Sequence, residues 1–63
     1  MVKIAILNLL NNKPGDIRDG EIIEGDTTTK KCKLIFSGER RIMSGHYDKK
    51  LELYVCDDIQ LIG

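Results

Sequence analysis

The chain has no tryptophan, one phenylalanine and two tyrosines among its 63 residues. No aromatic cluster can organise it, so a core has to be assembled from Ile, Leu and Val. Long apolar runs are missing too. The longest, "IAILNLL" over residues 4–10, is broken by Asn8 and falls far short of the roughly 20 residues that span a bilayer. Behind Met1-Val2-Lys3 it is not expected to act as a secretory leader. No membrane association is expected, and the expected location is the cytoplasm. Cysteine is scarce as well: Cys32 and Cys56 only. A secreted mini-protein held by disulfides carries four or more, so two reduced thiols are expected. A tetrahedral zinc site needs four N or S ligands, and His46 is the one histidine, so neither metal nor cofactor is expected.

What is present reads as one small domain spanning residues 1–63. A chain of this length buries only about 60% of the surface its unfolded form exposes. Domains so small lean on a staple or on a partner subunit.

The first segment carries two periodicities. In "VKIAILNLL" Val2, Ile4 and Ile6 alternate as in a strand, while Val2, Ile6, Leu9 and Leu10 sit at helical spacing. The β-branched content favours the strand and leaves an N-terminal helix as the alternative. "NNKPGD" is turn chemistry, with Pro14-Gly15 suited to the centre of a type II turn. Asp19-Gly20, flanked by Ile17 and Ile22-Ile23, predicts a short hairpin or a glycine bulge. After the Thr27–Thr29 loop the alternation is clear. Cys32, Leu34 and Phe36 share one face, and Lys31, Lys33 and Ile35 the other. Ser37-Gly38-Glu39 turns into "RRIMSGHY", where Gly45 marks a bend. Asp48-Lys49-Lys50 turns again, and Leu51, Leu53, Val55, Ile59 and Leu61 fall on one parity, interrupted by Asp57-Asp58. The pattern predicts a mainly β domain, a small antiparallel sheet of about five strands or a small barrel.

The run "IMSGHYDKKLEL" resembles the first motif of Sm-like proteins at Gly45, Tyr47-Asp48, Leu51 and Leu53. The spacing from glycine to aromatic is shorter, and the base-contacting asparagine of that motif has no counterpart, Lys50 standing near its place. "KPGDIRDGEIIEG" is similar to strands of SH3-like barrels. These resemblances imply a small barrel of SH3-like or Sm-like kind and no particular function.

Catalysis is not expected. Ser44 and His46 share a strand face, and Cys32, Cys56 and Ser37 are the other nucleophiles considered. No phosphate loop, dinucleotide fingerprint or zinc-protease motif accompanies them. Charge, although zero overall, separates along the chain: −2 over residues 1–26, +5 over 27–50 and −3 over 51–63. The basic stretch suggests nucleic-acid contact by Lys31, Lys33, Arg40 and Arg41, with Tyr47 available for stacking. The reading set first is a protein-binding regulator or assembly factor that self-associates as a homodimer. Its expected contact surface is a second apolar face containing Ile35, Met43 and Tyr54.

Overall fold

Alternating and β-branched segments separated by Gly-, Asn- and Asp-rich turns give five strands, here in a computed structural model that describes residues 1–62. They are β1 (Val2–Leu7), β2 (Pro14–Glu24), β3 (Cys32–Phe36), β4 (Met43–Asp48) and β5 (Leu53–Cys56). No helix occurs among the described residues. The helical alternative for the N-terminus fails because β1 is hydrogen-bonded on both flanks, to β2 and to β5. Leu9 and Leu10, which supplied the helical spacing, fall in the turn between β1 and β2.

Each strand pairs with the next in antiparallel fashion, and β5 then returns beside β1 in parallel, closing the sheet on itself. The parallel pair is forced by arithmetic. In an up-and-down order of five, the first and last strands run the same way.

The long second strand makes the closure possible. Its first half pairs with β1 and its second half with β3, and Gly20 sits at the joint, opposite both Val2 and Phe36. A Cβ there would lie 2.6 Å from the Ile35 carbonyl oxygen and from Ile4 Cδ1. Gly45 is the second such point, where an added Cβ would run into the Val55 carbonyl oxygen. Both glycines allow the backbone approach that bends a sheet around a small core. The hairpin expected at Asp19-Gly20 is therefore absent, because the same glycine serves as a corner inside one 11-residue strand. Pro14-Gly15 likewise opens β2 as a bulge, and the turn lies earlier, where Asn12 takes φ 55° and donates to the Asn8 carbonyl at 2.9 Å.

The interior is filled by Ile4, Ile6, Leu34, Phe36, Met43 and Cys56, with Val2, Ile22, Tyr54, Ile59 and Leu61 packed around them. The expected inward face of β3 holds. That of β5 does not: Tyr54 and Cys56 pair with Tyr47 and Gly45 and point inward, whereas Val55 pairs with His46 on the outer side. Beyond β5 the chain continues along β1, and Leu61 bonds both the Leu7 carbonyl and the Leu9 amide.

Candidate functional site

Two of the three residues expected on a second apolar face are not there. Met43 is 6% exposed, stands opposite Leu34, and receives the Cys56 thiol on its sulfur at 3.7 Å. Tyr54 packs on the core, and its ring meets that of Tyr47 edge to face at 5.2 Å. Both errors have one cause. Met43 and Tyr54 have apolar sequence neighbours of the opposite parity, and Gly45 sets the phase of β4 and β5 in a way that periodicity alone does not reveal. Ile35 does face outward, half-buried beside Glu21.

The basic residues are exposed, as a solvated surface requires. Lys31 and Lys33 lie at the start of β3, while Arg40 and Arg41 lie in the loop after it. About 13 Å of extended strand separates Lys33 from that loop. Lys33 pairs with Ser44 on one side and Glu24 on the other. These residues, with Lys31 and Cys32, line an open groove of about 180 Å³, smaller than sites that enclose organic ligands. Tyr47 lies on β4, half-buried, with its ring in edge-to-face contact with that of Tyr54.

Among the described residues three ion pairs form, the N-terminal amine with Glu21, Lys3 with Asp19 and Arg18 with Asp16, and His46 hydrogen-bonds to Asp57. Asp26, Asp48 and Asp58 instead accept from backbone amides of Thr28, Lys50 and Ser44. The Thr28 hydroxyl and amide hold the Asp26 carboxyl below its ordinary value. Thus most carboxylates have partners, while Lys30, Lys31, Lys33, Arg40, Arg41, Lys49 and Lys50 have no ion pair among the described residues.

His46 Nδ1 lies 2.9 Å from both carboxylate oxygens of Asp57, and Ser44 shares its outer face. A serine nucleophile needs a hydrogen bond to its base. Here it is the Ser44 backbone that is engaged, donating its amide to Asp58 and accepting from the Asp57 amide. The three residues act as a clasp fixing residues 57–58 against β4. Cys32 and Cys56 are buried free thiols on either side of Gly45. Burial pushes the Cys32 thiol above its ordinary value, and the Asp57 carboxylate adds to that. A thiol held neutral is a poor nucleophile.

The apolar surface lies elsewhere, on the outer face of β1. Ala5 and Leu7 alternate outward from Ile4 and Ile6. Ala5 pairs with Ile17 on one flank and Val55 on the other. Ala5 and Val55 are sealed, yet they lie outside the interior cluster. Beside them Leu7 is half-buried and Ile17 is 49% exposed. The Lys3–Asp19 pair and the His46–Asp57 clasp bound this stripe. The sequence carries its signal in "IAILNLL": apolar residues at both parities mark a strand covered on both faces.

No known protein family, no curated protein and no solved structure matches this chain.

Proposed function

We propose that the chain is a small non-enzymatic binding module, a regulator or assembly factor of the cytoplasm that works by protein contact. In shape it is a closed five-stranded barrel of the SH3-like or Sm-like kind. The observation that carries the reading is Ile17, 49% exposed on the outer side of the β1–β2 pair opposite Ala5, with the half-buried Leu7 on the same face of β1 and the Lys3–Asp19 ion pair beside it. Exposed apolar area of that layout marks a protein interface. Strand addition supports the reading less, because closure leaves β1 paired on both flanks. The test places a photo-crosslinking amino acid at position 17 and, separately, at the exposed position 42. A discrete protein adduct at 17 and none at 42 is expected. No adduct at 17 under conditions that keep the protein folded refutes the reading.

A second reading, contact with nucleic acid, is favoured by the seven cations of residues 30–50 that lack ion pairs. It is carried by Lys31 and Lys33, with Arg40 and Arg41 one strand length away. Affinity for a single-stranded oligonucleotide should then fall steeply with salt. No binding at low salt removes it.

No helix among the described residues is long and apolar enough to cross a membrane.

A further inference from the structure

We propose that the flank of β1 beyond β5 is a docking edge for an extended apolar segment of another protein, and that residues 59–62 cover it as a displaceable strap. The proposal adds a second surface to the protein-contact reading, on the flank of β1 away from Ile17, and stands or falls separately from it.

The edge is built from main chain. β5 pairs with β1 only at Ile4 and Ala5. Past that point the same flank is taken by Leu61, whose amide donates to the Leu7 carbonyl at 2.9 Å and whose carbonyl accepts from the Leu9 amide at 2.7 Å. The bridge from Asn8 to Leu61 is parallel. A carbonyl and an amide two residues apart on one flank are what a parallel strand bonds to, whatever its side chains.

Side chains beside the edge set what it takes. Leu61 lies against Gly15, where an added Cβ would stand 2.8 Å from Leu61 Cδ1. Ile59 and Leu61 pack on the core, while Gln60 and Ile62 are exposed. The chain's own segment therefore displays the pattern that fits: two apolar residues one apart, running parallel to β1, with the residues between and after them in water.

The strap is lightly held. Its anchor lies at residues 57–58, where the Asp57 amide donates to the Ser44 carbonyl at 2.9 Å and the Asp58 carboxylate accepts from the Ser44 amide at 3.0 Å. Between that anchor and Leu61, neither Ile59 nor Gln60 makes a main-chain bond to the barrel among the described residues. A single bridge flanked by exposed residues opens at lower free energy than a strand paired along its length.

The test uses a fluorescent peptide with the sequence of residues 57–62 and a control peptide with serine in place of its leucine. Anisotropy follows both on the unaltered chain, on Asp58→Ala, which loosens the anchor, and on Asp58→Ala with Gly15→Ala, which fills the slot. Circular dichroism checks that each variant keeps its β spectrum. Asp58→Ala should bind the peptide at least about 5-fold more tightly than the unaltered chain, since a strap that covers the site lowers the apparent affinity by the open fraction. The double variant and the serine peptide should show no binding. Hydrogen exchange of the unaltered chain is the variant-free arm: the Leu9 and Leu61 amides should exchange faster than those of the β1–β2 ladder and slow when the peptide is added. Equal protection of both sets overturns the proposal, as does a peptide that binds no variant or binds equally well with serine. Asp58→Ala should sediment as a monomer, and a dimer would assign the edge to an exchanged strap of a second copy and overturn the separate partner. None of these failures touches the crosslink at position 17, which tests the other surface.

Discussion

The ring of Tyr54 stands edge-on to the ring of Tyr47, 5.2 Å between centroids and 70° between planes. The two residues are directly opposite on β5 and β4, so the contact is a cross-strand aromatic pair at one end of the core. Such pairs contribute about 0.5–1.5 kcal/mol beyond the area they bury. A double-mutant cycle of Tyr47→Ala and Tyr54→Ala, read by urea unfolding, should return a coupling of about that size. Additive losses would mean that the rings do not act together.

Met43→Lys and Ile35→Lys should part sharply. The first puts an ammonium beside Leu34 and Cys56 in the core and abolishes cooperative unfolding, since a buried unpaired charge is costly. The second leaves its charge at a half-buried outward site beside Glu21 and costs at most about 1 kcal/mol. Thermal melts of both variants check it, and a folded Met43→Lys protein would contradict the packing of β4.

Gly45→Ala is expected to cost at least about 2 kcal/mol. Its new methyl meets the Val55 carbonyl and Leu34 Cδ2, 2.6 Å from the latter, and the backbone has no flexible tip to move aside. Gly38→Ala meets nothing within 4 Å and bears only the strain of φ 82°, about 1 kcal/mol. Chemical denaturation of the two variants ranks them, and the reverse order would place the sheet's corner elsewhere.

Stability should decline at alkaline pH. The Cys32 thiol is raised by burial and then by Asp57, and the Tyr54 phenol by burial and then by Cys32, Asp26 and Tyr47. Both groups hold their protons more tightly when folded. Their contribution is therefore complete below the ordinary values of 9.0 and 10.0 and is lost as pH climbs through the raised ones. Asp26 acts in the opposite sense. Its carboxyl is lowered by the Thr28 hydroxyl and amide, so its contribution is complete above 3.8 and lost as pH falls through the folded value. Melting temperature against pH should show both limbs. Cys32→Ala should flatten the alkaline one and Thr28→Val the acid one.

The parts of the fold legible in the sequence are those where one parity is apolar and the other charged. Residues 31–36 alternate lysine with Cys32, Leu34 and Phe36, and the strand has that register. The Thr27–Thr29 loop and the turn at Ser37-Gly38 also stand where side-chain hydrogen bonding and a positive φ require them. Legibility fails where both parities are apolar, because burial then has two ways to be satisfied. In "LELYVC" the choice falls to Tyr54 and Cys56, decided by pairing with Gly45 and Tyr47 across the sheet. Asp19-Gly20 shows another limit: the letters of a hairpin turn are also those of a corner, and only the partner strands distinguish them. The apolar outer side of β1 corresponds to "IAIL", where both parities carry apolar residues. Its meaning depends on the second flank of β1 being taken by β5, a contact some 50 residues away in the chain.

That distant contact governs the order of events as the chain emerges and folds. The β1–β2, β2–β3, β3–β4 and β4–β5 pairings form between neighbours in sequence, but Ile4 finds Tyr54 only after everything between them has been made. Until then β1 has one bare flank, and the apolar side chains on both of its sides are open to water. Loop closure over such a span is entropically slow relative to hairpin formation. The nascent chain is therefore most vulnerable to sticking to its neighbours at its first strand, and that interval ends when the last strand arrives.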